Sequence, residues 1–197
     1  MTKRWIATAL LALLAGAASP RPAAAQDKDG PLARQGSFEV FFGSFGINDP
    51  VFSEVYASGG GIGGLAITAA LFLNIDFYLE AKAFPRQGQL TFTKERTDFV
   101  LLPFSIGFRW RVPLGLIEPF VGGGLDYAVY YEKNDIGTAL DYASGAHILG
   151  GVSLRPGRRA PIALMLRLRY SMVKAEHAGI EVDLSGLEAG ASLAFLF

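Results

Sequence analysis

From Gly36 to Phe197 apolar side chains recur at every second position, and within each run the charged residues keep to the opposite parity. A repeat of two is the repeat of a β-strand, whose successive side chains point to opposite faces, and it argues against a helical domain. Residues 99–111 show it most cleanly, with Val100, Leu102, Phe104, Ile106, Phe108 and Trp110 set against Ser105, Gly107, Arg109 and Arg111. Runs at 36–45, 61–73, 76–84, 117–131, 143–155, 162–173 and 183–197 read the same way. Each is long enough for the ~9–11 residues that a tilted strand needs to cross a bilayer. Asn74 with Ile75, Pro113-Leu114-Gly115 and Pro156-Gly157 mark short connections, whereas residues 47–60, 85–98, 132–142 and 174–182 leave long ones. Short turns at one end and long loops at the other are the mark of an up-and-down barrel.

The first 25 residues differ in kind. Lys3 and Arg4 precede an uncharged apolar run at 5–18, followed by Ser19, Pro20 and Ala23-Ala24-Ala25. This is the order of a secretory signal, so cleavage is expected after Ala25, with a segment at 26–35 leading into a barrel of 36–197. The apolar run falls short of the ~20 residues of a spanning helix, and charges, Gly or Pro interrupt every later apolar stretch. Without cysteine the chain has neither disulfides nor a lipidated thiol, so an exported domain must depend on sheet closure and packing. Eighteen basic and 18 acidic residues cancel, which argues against nucleic acid as a partner.

In lipid every backbone amide must be paired within the protein, so an antiparallel sheet crosses only as a closed barrel. The expected fold is all-β: an eight-stranded antiparallel up-and-down transmembrane β-barrel with both termini on one side. The apolar faces then look outward, and Phe45, Trp110, Tyr127, Tyr131, Tyr170, Phe195 and Phe197 are candidates for the aromatic girdles. The inner faces carry Glu39, Glu80, Glu118, Asp126 and Glu188 against Lys82, Arg109, Arg111, Arg167 and Arg169. Eight strands enclose only enough room for side chains, so these balanced charges are expected to form a hydrogen-bonded plug. Pro103 cannot donate to a ladder and is expected to mark a bulge or a slipped register. Gly122-Gly123-Gly124 suits curvature and close strand packing; with no helix after it, it is not a phosphate loop.

The leader followed by eight alternating runs, residues 117–127 (IEPFVGGGLDY), and Asp183-Leu184-Ser185-Gly186-Leu187 leading into a last strand that ends on Phe197 together resemble the small outer-membrane β-barrel family that includes OmpA- and OmpX-like proteins. The resemblance covers the whole mature chain, without the peptidoglycan-binding domain of the OmpA kind. It implies the bacterial outer membrane as location, and outer-membrane lipid and lipopolysaccharide as surroundings. It also implies periplasmic chaperones and the barrel-assembly machinery as partners in biogenesis, a monomer, and Leu193, Phe195 and Phe197 as the assembly signal.

Function divides three ways on these residues. A structural or surface-interaction barrel with a closed interior needs no catalytic group and no cofactor. A narrow channel for small or hydrophobic solutes, as in the somewhat similar OmpW-type barrels, needs an opening that the sequence does not show. A lipid A-modifying enzyme needs a nucleophile beside a base, and the chain has two His: His147 on the inner face of its run, with Ser153 the nearest inward Ser, and His177 in an expected outer loop. A soluble barrel of lipocalin type would place charge outside and an apolar lumen within. Asp49, Glu54, Glu95, Asp98, Asp135 and Asp141 lack metal-ligand spacing. Lys94, Arg96 and Lys133 are expected loop cations in reach of lipopolysaccharide phosphates, but a solvated charged loop is the simpler account of them.

Overall fold

The computed structural model describes residues 35–57, 59–89, 94–134, 137–157, 160–177 and 180–197; the expected signal and all of 26–35 except Gln35 lie outside them. The strands are β1 (Gly36–Ile47), β2 (Gly59–Ala70), β3 (Ile75–Gln89), β4 (Arg96–Arg111), β5 (Ile117–Asn134), β6 (Gly137–Leu154), β7 (Ile162–His177), β8 (Ile180–Asp183) and β9 (Gly186–Leu196), with one helix, α1 (Pro50–Tyr56), after β1. Each pairs antiparallel with its sequence neighbour, and the sheet closes where β9 pairs with β1. β8 and β9 are two pieces of one stave, since both follow β7 in a single register, Lys174 opposite Asp183 and Ser171 opposite Gly186. The result is a closed eight-stranded antiparallel barrel.

The Cα partners, followed once around the wall, run from Gly36 through Ala69, Phe77, Phe108, Gly123, Ile148, Tyr170 and Leu187 back to β1 at Gly46, an advance of ten residues. That stagger in eight staves tilts the strands by roughly 40° and sets the wall at a radius of ~8 Å, with ~2.5 Å of rise per residue along the axis. Outward apolar side chains extend from Trp110, Phe195 and Phe197 near the turn end to Phe104, Tyr127 and Tyr170, all exposed. By that rise the band is roughly 25 Å tall, the height a bilayer requires. Tyr131 also faces outward, but four residues beyond Tyr127 it stands ~10 Å above the band. Phe45, a girdle candidate, instead points inward, edge-on to Phe84 with ring centroids 5.2 Å apart. It shares odd parity with Glu39 and Phe41, and parity outweighs residue type.

Pro103 makes no bulge. It stands opposite Ala128 in the unbroken β4–β5 register, while the β3–β4 ladder keeps one register on either side of a lapse at Lys82 and Ala83, opposite Pro103 and Leu102 respectively. Between β2 and β3 the turn occupies Leu71 to Asn74, one step earlier than Asn74 with Ile75. The Ile75 N–H donates to the Phe72 carbonyl at 2.9 Å, and Leu73 and Asn74 hold φ of 51° and 63°, the left-handed pair of a type I′ hairpin. Gly115, at φ 87°, turns β4 into β5 where a side chain would be strained.

At the opposite end the expected long loops are largely strand. β3 runs to Gln89, β4 starts at Arg96, β5 and β6 reach Asn134 and Gly137, and β7 continues to His177. Polar residues such as Gln87, Glu132 and Thr138 pair as strands once out of lipid, so hydrophobic alternation underestimates strand length. The connection after β1 holds α1, capped by Asp49, whose carboxylate accepts the Phe52 N–H at 3.2 Å, with Pro50 at the first helical position. One turn apart on α1, Phe52 and Tyr56 drop onto Phe99, with centroids 5.1 and 5.3 Å away, and the Tyr56 hydroxyl meets Thr97 Oγ1 at 2.8 Å. Arg86 Nε donates to the Tyr56 carbonyl at 3.1 Å. The helix thus seats an apolar interior layer that includes Phe41, Phe45, Phe84, Leu101 and Tyr130. Among the described residues the fully buried charges of the inner face therefore lie in its middle and turn-end portion.

Candidate functional site

Inward parity delivers the charged groups. β3 contributes Asp76, Tyr78, Glu80 and Lys82; β4 contributes Ser105, Arg109 and Arg111; β7 contributes Arg167 and Arg169; β1, β5, β6 and β9 add Glu39, Glu118 with Asp126, His147, and Glu188. The ten charged residues on the expected inner face, Glu39, Glu80, Lys82, Arg109, Arg111, Glu118, Asp126, Arg167, Arg169 and Glu188, are all buried. At the centre Glu80 receives both Arg167 amino groups, Nη1 at 2.6 Å on Oε2 and Nη2 at 2.8 Å on Oε1. Lys82 Nζ lies 2.8 Å from the same carboxylate and also binds Glu188, which Arg167 Nη2 reaches at 3.0 Å. Arg169 Nη1 is 3.3 Å from Glu80, and its Nη2 donates to Ser105 Oγ at 2.7 Å and to Asp126.

Asp126 carries the network across to His147, whose Nδ1 lies 2.9 Å from Oδ1, while the Tyr78 hydroxyl meets His147 Nε2. Room for that contact comes from Gly107, since a Cβ there would stand 2.6 Å from the Tyr78 hydroxyl. Toward the turn end, Arg109 Nη2 donates to Glu39 at 2.7 Å and lies 3.4 Å from Asp76. Arg111 bonds Asp76 and approaches Glu118 at 3.5 Å, and Arg155 reaches Glu118 at 3.2 Å. Asp76 and Arg155 are the charged members that sequence reasoning left out, the first read as the start of its strand and the second as the end of its strand. Asp76 shares the parity of Glu80, a signal that identifies it. One acid and one base are added, so the balance holds.

Two aromatic rings lie against this belt. The Arg167 guanidinium lies 3.9 Å from the Phe41 ring centroid, toward the loop end, and that of Arg109 lies 5.1 Å from Phe120, toward the turns. The gap lined by Glu39, Ala66, Tyr78, Glu80, Arg109, Leu149 and Arg167 has no room for a water-sized sphere. At the turn end the interior widens into an open cavity of about 350 Å³ beside Asn74, Asp76, Arg111, Glu118 and Arg155.

The last strand completes the wall. Leu193 stands opposite Val40 and Phe195 opposite Phe38, with the two rings 6.5 Å apart, and both side chains face outward. The Phe197 carbonyl accepts from the Gln35 and Gly36 N–H groups at 2.7 and 2.9 Å, tying the final residue to the start of β1. Other expected sites stay dispersed. His177 ends β7 rather than lying in a loop, with its backbone opposite Ile180. Arg96 and Lys133 are strand residues instead of loop cations, and Arg96 pairs with Asp98 at 3.2 Å on the surface; Lys94 is exposed just before β4, and Asp135 lies outside the described residues. Among the described residues no three His, Asp or Glu side chains converge as metal ligands.

No family model matches the chain, and no curated protein matches its sequence. Its fold does match solved structures of small outer-membrane barrels. Neisserial surface protein A aligns with 12% identity and a TM-score of 0.59 over 83% of this chain and 97% of that one. The outer membrane protein OprG of Pseudomonas aeruginosa gives 13% and 0.58 over 86% and 99%. Ail of Yersinia pestis, the attachment invasion locus protein, in complex with the heparin analogue sucrose octasulfate, gives 10% and 0.51 over 81% and 97%.

Proposed function

We propose that the chain is an integral protein of the bacterial outer membrane, exported by a signal cleaved after Ala25, that works through what it displays at its loop end. The observation that carries this reading is the interior belt, in which Glu80, Glu188 and Asp126 are matched by Lys82, Arg167 and Arg169, and the gap beside Glu39, Glu80, Arg109 and Arg167 holds no water-sized space. A lumen filled in this way does not conduct. Phe42, Leu65, Phe108, Leu125, Ile148, Leu168 and Leu193 lie outside while the charge lies inside, the reverse of a soluble barrel. His147 is enclosed by Asp126, Tyr78 and Arg169, and Ser105 bonds Asp126 rather than the imidazole, which supports a structural role over a catalytic one. Lipopolysaccharide and outer-membrane lipid surround the band, and the assembly machinery reads Leu193, Phe195 and Phe197.

Planar-bilayer recording tests the closed lumen. Purified protein is expected to give no unitary currents, and reproducible currents abolished by Arg109→Ala or Glu80→Gln overturn the reading. Heat-modifiable migration on gels, with extraction only by detergent, is expected of the membrane barrel.

A further inference from the structure

Above the apolar band the wall parts. The β6–β7 ladder ends at Ser144 opposite Lys174, although β7 runs on to His177 with β8 along its far edge, Ala175 opposite Val182 and His177 opposite Ile180. β6 extends further, through residues 137–143, paired with β5 as far as Gly137 opposite Asn134. Among the described residues no strand follows the other edge of 137–143. The Arg155 N–H identifies which groups face that edge, because it donates to the Leu116 carbonyl at 2.8 Å, on the β5 side of the same register. In an antiparallel strand one residue's N–H and C=O point the same way, and alternate residues agree. Thr138, Leu140 and Tyr142 therefore turn their main-chain groups to the open edge, while Ala139, Asp141 and Ala143 serve β5. Leu140 and Tyr142 also extend outward, 68% and 64% exposed.

We propose that residues 137–143 are a docking edge that takes up an extended segment of a partner protein as an added strand, with Leu140 and Tyr142 seating its alternate apolar side chains. Amide donors and acceptors at ladder spacing are matched by another extended chain, which is why open edges recruit strands. A second copy in the same membrane does not fit. A two-fold axis along the barrel would set two β6 strands running in the same direction and crossed at roughly 80°, twice their tilt, where no ladder forms. The chain's own leading residues join at Gln35, at the far end of the staves. The partner chemistry is thus an extended segment, apolar at every second position and free of proline where it must donate. This rests on the reading of the barrel as a surface-interaction protein with its loop end outward.

Amide hydrogen exchange on the full barrel in detergent micelles tests it, with a peptide of residues 128–134 (AVYYEKN) as probe, the sequence that already pairs with this strand from the β5 side. The Thr138 and Leu140 amides are expected to exchange at least roughly tenfold more slowly with peptide, one hydrogen bond's worth each, while Ala139 and Asp141 do not change. Leu140→Pro removes an edge donor without touching the β5 ladder and should weaken binding roughly tenfold. The same peptide N-methylated at alternate amides leaves the protein untouched and should not bind. Equal binding of both peptides, or unchanged exchange at Thr138 and Leu140 with millimolar peptide, overturns the proposal, as does concentration-dependent protection of these amides without peptide. A barrel soluble without detergent sinks the membrane reading instead, and the amide measurement stays separate from it.

Discussion

Replacing Glu80 by Gln keeps the shape of the side chain and removes a single charge from the centre of the barrel. Glu80 is bound by Arg167 at 2.6 and 2.8 Å, by Lys82 at 2.8 Å and by Arg169 at 3.3 Å, with its side chain 1% exposed. Without it, Lys82, Arg167 and Arg169 face only Glu188 and Asp126, and one buried positive charge has no counter-ion. Removing one partner of a buried pair costs about 3–5 kcal/mol, because the remaining charge cannot return to water. At 1.4 kcal/mol per decade this lowers the folding equilibrium by about two to three and a half orders of magnitude. Lys82→Met in the same chain removes the surplus charge, and the double variant should regain about 1–2 kcal/mol relative to Glu80→Gln alone. Arg96→Ala, which breaks the exposed pair with Asp98 at 3.2 Å, should move stability by no more than ~1 kcal/mol. Reversible urea unfolding in lipid vesicles measures all three, read by heat-modifiable migration and by fluorescence of the outward-facing Trp110. A Glu80→Gln loss below ~1 kcal/mol, or a double variant no more stable than Glu80→Gln, would refute the argument that the belt is a mutually dependent charge network.

Deleting Phe197 removes the carbonyl that holds Gln35 and Gly36, along with the last outward aromatic; folded protein in the outer-membrane fraction should fall sharply, and a level equal to that of a loop-tip deletion would count against the assembly role. Gly107→Ala should destabilise by about 1–3 kcal/mol in the same urea assay, because its Cβ meets the Gly123 carbonyl at 2.4 Å and the Tyr78 hydroxyl at 2.6 Å, and a neutral result would mean that the Tyr78–His147 contact yields at no cost.

The lipid-facing half of the wall was legible residue by residue, since lipid accepts one kind of side chain and the strand repeat selects every second position. Trp110, Tyr127, Tyr170, Phe195 and Phe197 lie outside as parity requires, and Phe45 was misplaced only where residue type was set above parity. Strand ends were not legible, because Glu132, Lys133 and Thr138 carry no hydrophobic signal and are held in strands by their ladder alone. Helix α1 left a short signature, Asp49 capping Pro50, that the surrounding loop composition obscured.

Parity alone determined which charges turn inward and that eight closed staves would leave them little space. Which acid meets which base was decided by the ten-residue stagger, because it sets the height of each stave against its neighbours. Glu188 and Lys82, 106 positions apart, meet across the lumen for that reason, and no local pattern encodes it. The open edge of β6 has the same origin: a ladder is a relation between two strands, and only the assembled wall shows that the β6–β7 ladder stops at Ser144 while β6 runs on to Gly137.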